Sequence, residues 1–278
     1  MNKLPISVCI ISGAEAQRVA RALESIQGWT GEIIMVLNED VHDGTEEIAR
    51  QYGATIFREP WKGHIAQKNS AAEKATQEWL LGLDADEVVS PGLRDEIIAA
   101  LEHEAQAPQH EAFSFPRLSY YCGRWIRHGD WYPDRKTRLW RRGKARWGGE
   151  NPHDKLMVDG RVGRLRHDLL HYSYDSISSF LNKINQYADI SLKQQIHSGK
   201  KWSTGGTVVR SGWRFLRAYF FRLGFLDGFP GFFIAASNAY STLVRHSRLY
   251  EHLHAEAPSA PAQDSPVTTP PAKATESR

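Results

Sequence analysis

The nine residues Trp79-Leu80-Leu81-Gly82-Leu83-Asp84-Ala85-Asp86-Glu87 decide how this chain is read. Trp79 to Leu83 carries no polar side chain, as expected of a strand buried on both faces. The run then stops abruptly on acids. In open α/β sheets ligands bind beyond the carboxyl ends of the strands, so acids at this position face a binding crevice. Asp84 and Asp86 are two residues apart, and in extended backbone alternate side chains share a side. Carboxylates so placed suit a hard divalent cation, Mg2+ or Mn2+, together with the oxygens of a substrate phosphate. A plainer role is also open to them, that of capping the helix that begins near Pro91.

Outward from this stretch, strands and helices alternate. Ile6 to Ile11 reads as a strand ended by Gly13, and Ala16 to Ile26 has helical spacing. Glu32 to Leu37 is a second apolar strand. Asp43-Gly44-Thr45 opens a helix with Glu46 and Glu47 near its positive end. Thr55 to Phe57 reads as a strand and Ile65 to Ala75 as a helix. This rhythm predicts an α/β fold with a largely parallel sheet. Further on, a helix runs from Pro91 to about Glu104, and strands cover Phe113 to Tyr121 and Arg138 to Arg141. Helical spacing returns over Ile177 to Ile196. Residues 257–278, rich in Pro, Ala, Ser and Thr, read as a disordered tail.

Bulk properties exclude several classes. A chain of 278 residues holds one large domain, or one with an appendage. A net charge of only +3 does not suit a chain-wide polyanion binder, so nucleic acid is not an expected partner. Two cysteines, Cys9 and Cys122, build no disulfide framework and point to a reducing compartment. Neither a leader nor an uncharged run of spanning length is evident, so the expected location is cytoplasmic. The 9 Trp, 10 Tyr and 11 Phe suit either a surface that handles sugars or membrane, or an aromatic core.

The order of these segments resembles one family. Ser7-Val8-Cys9-Ile10-Ile11, Glu32-Ile33-Ile34-Met35-Val36, Asp43-Gly44-Thr45-Glu46-Glu47-Ile48-Ala49, Gln67-Lys68-Asn69-Ser70-Ala71 and the Trp79–Glu87 stretch occur in the sequence order of the family 2 inverting glycosyltransferases of GT-A fold. The chain is similar in particular to bacterial lipopolysaccharide core β-1,4-glucosyltransferases, with which it shares His171-Tyr172-Ser173-Tyr174 and Gly224-Phe225-Leu226-Asp227-Gly228. The resemblance implies a GT-A domain over residues 1–175 and a helical, basic-aromatic region over 176–256, ahead of the 257–278 tail. It further implies a UDP-hexose donor, glucose foremost, and a lipid-linked saccharide acceptor. Asp84 would face the ribose or diphosphate and Asp86 would ligate the metal. Where the family commonly places an Asp to read the base, this chain has Asn38, whose amide both donates and accepts. Glu15 is either a nucleoside contact or a solvated acid at a helix start.

An inverting transfer needs a base for the acceptor hydroxyl and positive charge on the departing diphosphate. By resemblance Asp154 is the base, with Glu150 the alternative from the same Glu150-Asn151-Pro152-His153-Asp154 stretch; both otherwise only shape a loop. His171 either completes the metal shell or touches the diphosphate, or is structural. Lys68 and Arg138 are phosphate or sugar contacts, and Asp130, Trp131 and Asp134 are expected to line the acceptor pocket.

From Gly206 to Tyr250 six arginines stand against one acid, Asp227. Trp213 to Phe233 interleaves arginine with aromatics, which predicts a helix with an apolar face and an arginine edge. Such a helix lies in the headgroup region of an anionic leaflet, making the protein peripheral on the inner membrane face, or packs on the catalytic domain. Two rivals remain. A nucleotidyl transferase needs a glycine-rich loop after the first strand, whereas Ser12-Gly13-Ala14-Glu15 has a single glycine and no lysine. A carbohydrate-binding or scaffolding protein that kept the fold without turnover is the other.

Overall fold

In the computed structural model, residues 3–150, 153–174 and 176–254 are described, apart from the side chains of Glu150 and His153. The first half alternates as the sequence predicts: β1 (Leu4–Ser12), α1 (Val19–Ile26), β2 (Thr30–Asn38), α2 (Thr45–Gln51), β3 (Thr55–Glu59), α3 (His64–Glu73) and β4 (Trp79–Asp84). A short β5 (Glu87–Val89) leads into α4 (Pro91–Gln106). Ser90, not an upstream acid, caps α4 by accepting from Leu93 N at 3.2 Å, with Pro91 preset for the first helical turn. The capping role for Asp84 and Asp86 is thereby corrected: neither caps α4, and both line the cleft.

The second half adds β6 (Ala112–Tyr121), β7 (Arg124–Ile126), β8 (Asp134–Arg141), β9 (Ala145–Glu150), β10 (His153–Val158), β11 (Val162–Arg164) and β12 (Leu169–His171). The main sheet has the order β3-β2-β1-β4-β8-β6-β12-β5, with β7 and β11 also on β6, while β9 and β10 form a separate hairpin. Pairing is parallel from β3 through β4. β8 then runs antiparallel to both its neighbours, and β12 is parallel to β6. Only Ala85 and Asp86 separate the end of β4, in mid-sheet, from the start of β5, at its far edge. Two residues reach across that interval only if the sheet curls back on itself. The curl encloses the Glu87 carboxylate.

Alternation along β1 explains the two layers. Ile6, Val8 and Ile10 join Leu23, Ile26, Leu81, Leu93 and Ile97 beneath α1 and α4. Cys9 faces the opposite layer, with Val36, Ala71, Leu80, Trp140 and Trp147 under α3. Burial pushes the Cys9 thiol far above its ordinary range, so it is an inert core group. A third cluster of Tyr121, Ile126, Phe180, Ile184 and Ile234 seats α5 (Ile177–His197) and α7 (Gly228–His254) against β6 and β7.

The continuous helix expected over Trp213–Phe233 is not formed. α6 (Thr204–Leu216) passes into a wide helical turn over Arg217–Phe221, Leu223 adopts φ 57°, and a 3-10 turn over Gly224–Asp227 reverses the chain into α7. Backbone contact fixes the reversal. A Cβ on Gly224 would lie 2.7 Å from Ala218 O, and one on Gly231 would lie 1.9 Å from Gly224 O. Among the described residues no helix is long and apolar enough to cross a membrane.

Candidate active site

The carboxyl ends of β1, β2 and β4, together with α3, β8, β10 and α5, border a cleft of about 1320 Å³. Glu15, Asn38, Lys68, Asp84, Asp86, Arg138, Asp154 and His171 all line it. Eight residues spread over 157 positions of sequence thus meet in one cavity. Glu150 ends β9 opposite His153 in the hairpin register, and its side chain lies outside the described part of the structure.

Asp84 is held from two sides. Lys68 Nζ lies 3.0 Å from its Oδ1, and Arg138 Nη2 donates to its Oδ2 at 2.7 Å. Burial disfavours the Asp84 charge, but Arg138 and then Lys68 outweigh it and hold the carboxyl well below the usual carboxylate range. The same Lys68 ammonium donates to Asp154 Oδ2 at 2.9 Å, so one cation fixes two acids. Arg138 also donates to Glu87 Oε1 at 3.2 Å, and Glu87 Oε2 accepts from Asp84 N at 3.0 Å. Arg117 completes the network by bonding Glu87 at 3.1 Å and Asp134 at 2.8 Å. Buried ion pairs add little net stability over apolar packing of equal volume. What this network supplies is a fixed position for each charge.

Trp147 organises the cations from the other side. Lys68 Nζ sits 4.7 Å and Arg138 Cζ 5.1 Å from a Trp147 ring centroid, within cation–π range. Asn69 brackets the Trp147 backbone, donating to its carbonyl at 3.0 Å and accepting from its N–H at 2.9 Å. Gly82 leaves the room this ring needs, since a Cβ there would meet Trp147 Cζ2 at 2.9 Å.

At the cleft's other side His171 Nε2 lies 3.3 Å from Asp86 Oδ2. Ser173 Oγ lies 2.8 Å and Ser119 Oγ 3.5 Å from His171 Nδ1, which directs Nε2 toward the carboxylate. Tyr172 N donates to Asp86 O at 2.9 Å, tying β12 to the β4–β5 turn. Among the described residues no group of three His, Cys, Asp or Glu side chains is arranged to hold a metal without other ligands. Asp86 and His171 form a two-donor set. Burial, reinforced by Asp86 and Asp43 and opposed by Arg18, raises the Glu15 carboxyl above its ordinary value. Asn38 Oδ1 is buried with no hydrogen-bond partner at the wall of the cleft.

Asp130 and Trp131 do not line the cleft as expected. Asp130 is turned inward onto Arg214 and Arg217, at 3.1 and 2.7 Å, with Arg222 at 3.6 Å. Trp131 packs with Tyr121, Tyr174 and Phe180 at centroid distances of 5.4–5.7 Å. Asp134 stands behind the lining, on Arg117 and Lys136. Arg117, Trp147 and the α5 residues Lys183 and Tyr187 were missed as site components, while Glu87, read as one of the acids after β4, is fully buried on Arg117 and Arg138 instead of lining the cleft. Among these Arg117 had a local signal, as the one charged residue within the strand-like run Phe113–Tyr121.

Residues 7–157 match the family model described as glycosyl transferase family 2. Two curated relatives extend the similarity over most of the chain. An uncharacterized glycosyltransferase of Rickettsia prowazekii is 32% identical over 259 residues, covering 88% of this chain and 86% of the relative. The lipopolysaccharide core biosynthesis glycosyltransferase LpsC of Rhizobium meliloti is 28% identical over 256 residues, covering 90% of this chain and 93% of its own. Among solved structures, S. aureus TarS residues 1–349 in complex with UDP aligns over 93% of each chain at 12% identity and a TM-score of 0.43.

Proposed function

The chain belongs to glycosyl transferase family 2, and we propose that it moves a hexose, glucose from a UDP-sugar, with inversion onto a lipid-linked glycan such as the lipopolysaccharide inner core. The observation that carries this reading is the single Lys68 ammonium joining Asp84 to Asp154 at the carboxyl end of β4. It brings a donor-side acid and a candidate base to within 3.0 and 2.9 Å of one cation. The similarity to LpsC, named for lipopolysaccharide core biosynthesis, supports the acceptor class. Such an acceptor resides at an anionic membrane surface, on the cytoplasmic side where the nucleotide sugar is available.

In this reading the unpartnered Asn38 Oδ1 accepts an N–H from the base edge of the nucleotide. Asp84 orients the ribose or diphosphate, while Lys68 and Arg138 place positive charge beside the departing phosphates. Asp154 takes the proton of the acceptor hydroxyl as that oxygen bonds to C1 of the sugar, and the C1–O bond to the diphosphate breaks on the opposite face. Lys68 holds the Asp154 carboxylate in position until then.

Asp86 and His171 are the residues to hold Mg2+ or Mn2+, which when bound stabilises charge on the departing diphosphate. The pair fits such an ion. The Asp86 carboxylate is the hard donor that either ion takes, the His171 imidazole suits Mn2+ better than Mg2+, and the remaining positions would fall to phosphate oxygens and water; the hydroxyls on His171 Nδ1 orient its other nitrogen as second-sphere partners do.

A thermal-shift screen of nucleotide sugars with and without manganese, on wild type and Asp86→Ala, tests the proposal. A melting increase specific to a UDP-hexose, needing both manganese and Asp86, is expected. No increase with any nucleotide sugar overturns the donor assignment and favours a glycan-binding protein without turnover.

A further inference from the structure

The reversal between α6 and α7 leaves an apolar tip uncovered. Phe220, Phe221, Leu223, Phe225, Leu226 and Phe229 all face solvent, with Phe221 69% and Phe229 66% exposed. They form one surface rather than scattered exposures. Phe220 and Phe225 pack on Tyr219 at 5.0 and 6.2 Å, Phe232 joins Tyr219 to Phe229 at 5.7 and 6.5 Å, and Phe221 packs on Trp213 at 5.4 Å. A contiguous exposed apolar patch of this kind marks an interaction site.

The inner side of the tip is anchored firmly. Asp227 accepts from His128 N at 2.7 Å and lies 3.7 Å from Arg124. Gly129 N donates to Arg222 O at 2.8 Å. Asp130, almost wholly buried, gathers Arg214, Arg217 and Arg222, whose own side chains stay 38–47% exposed. Three guanidiniums around one carboxylate leave positive charge at the root of the tip, available to a second anion.

We propose that this tip inserts its aromatic side chains into an anionic lipid bilayer while the arginines at its root bind lipid phosphates. The assignment deepens the reading of a lipid-linked acceptor: it names the part of the chain that brings the cleft to that acceptor. It also replaces an in-plane helix with a short wedge, because Leu223 and the glycine contacts break the helix at its most aromatic point. Charge selects a bilayer over a second copy of the chain. An isologous pairing through this face would set arginine clusters against each other, whereas anionic headgroups neutralise them.

The test uses the full chain, sedimented with phosphatidylcholine vesicles containing either none or about 30% phosphatidylglycerol. Nucleotide sugar and acceptor are omitted, so the outcome is independent of the donor and base assignments. Wild type is expected to partition onto the anionic vesicles in a salt-sensitive manner. The double variant Phe221→Ser/Phe229→Ser should lose roughly tenfold or more in partitioning, because each ring forfeits its apolar burial. Phe221→Leu/Phe229→Leu should retain most of it. Equal partitioning of wild type and the serine variant overturns the proposal, as does failure of wild type to bind anionic vesicles. A vesicle-free dimer that the serine variant dissolves, seen by sedimentation velocity, would instead assign the face to self-association.

Discussion

Arg138 Nη2 lies 2.7 Å from Asp84 Oδ2, with Arg138 only 5% exposed. The same nitrogen reaches Glu87, so one guanidinium joins the last residue of β4 to the first of β5. These strands lie in mid-sheet and at its edge, and the contact sits where the curl of the sheet closes. Arg138 is therefore a structural pin as well as a donor-side cation. Arg138→Met should leave the fully buried Glu87 with Arg117 as its remaining cation, and cost about 3–5 kcal/mol of unfolding free energy. Urea unfolding measures it. Adding Glu87→Gln should recover part of the loss through coupling; a cost below about 1 kcal/mol for the single variant would remove the pin.

A second clamp places Lys68. Glu59 at the end of β3 accepts from Lys74 at 2.6 Å, Lys62 at 2.9 Å and Ser70 at 2.7 Å, drawing α3 onto the sheet. Lys74 foremost, against burial, lowers the Glu59 carboxyl to about 2. An unfolded glutamate titrates at about 4.3, so the unfolded chain binds this proton first as pH falls. The stability from Glu59 is therefore complete above the unfolded value and is lost as pH falls through about 2. Unfolding of wild type and Glu59→Gln across this range should show a gap that is widest near neutrality and narrows as the solution is acidified.

How much of this was legible in the sequence follows from range. β1, β2 and β4 are long apolar runs punctuated by Gly or Asp, and each declares itself locally. The three-residue strands β5, β7, β11 and β12 are shorter than any periodicity that would reveal them. Asp84 and Asp86 were readable because they follow a buried strand. Glu87 read as part of the same acidic run, yet its role depends on a curl made by pairing β5 with β12 more than eighty residues later. Asp130 looked like a pocket acid among aromatics; Arg217, which turns it inward, arrives 87 positions downstream. The helix over Trp213–Phe233 was misread for a similar reason. Its aromatic and arginine spacing permitted a helix, while the tight approach at Gly224 and Gly231 that reverses it is a tertiary contact.

Gly82 tests whether Trp147 positions the donor-side cations. Gly82→Ala puts a methyl group 2.9 Å from Trp147 Cζ2 and 3.3 Å from Trp140 Cζ3, both rigid rings within a packed layer. Overpacking of this kind costs about 1–3 kcal/mol. Trp147 is the group expected to yield, because its hairpin lies outside the main sheet. The donor affinity of Gly82→Ala should fall several-fold, with a change in tryptophan emission. Unchanged donor affinity with the same loss of stability would confine Trp147 to packing.

Asp154→Asn separates binding from proton transfer. Asparagine keeps the shape of the side chain and one carbonyl oxygen for Lys68, whose other partner, Asp84, is untouched. The donor side should therefore retain its geometry, and the donor dissociation constant should stay within about twofold of wild type by calorimetry. An amide cannot take up the acceptor proton at neutral pH, so turnover should fall by about 10²–10⁴. Two other outcomes have different meanings. A loss of donor affinity equal to the loss of turnover would make Asp154 chiefly a support for Lys68. Near wild-type turnover with intact donor binding would move the base elsewhere, and Glu150→Gln would then be the variant to examine, since β9 and β10 bring Glu150 and Asp154 to the same end of one hairpin.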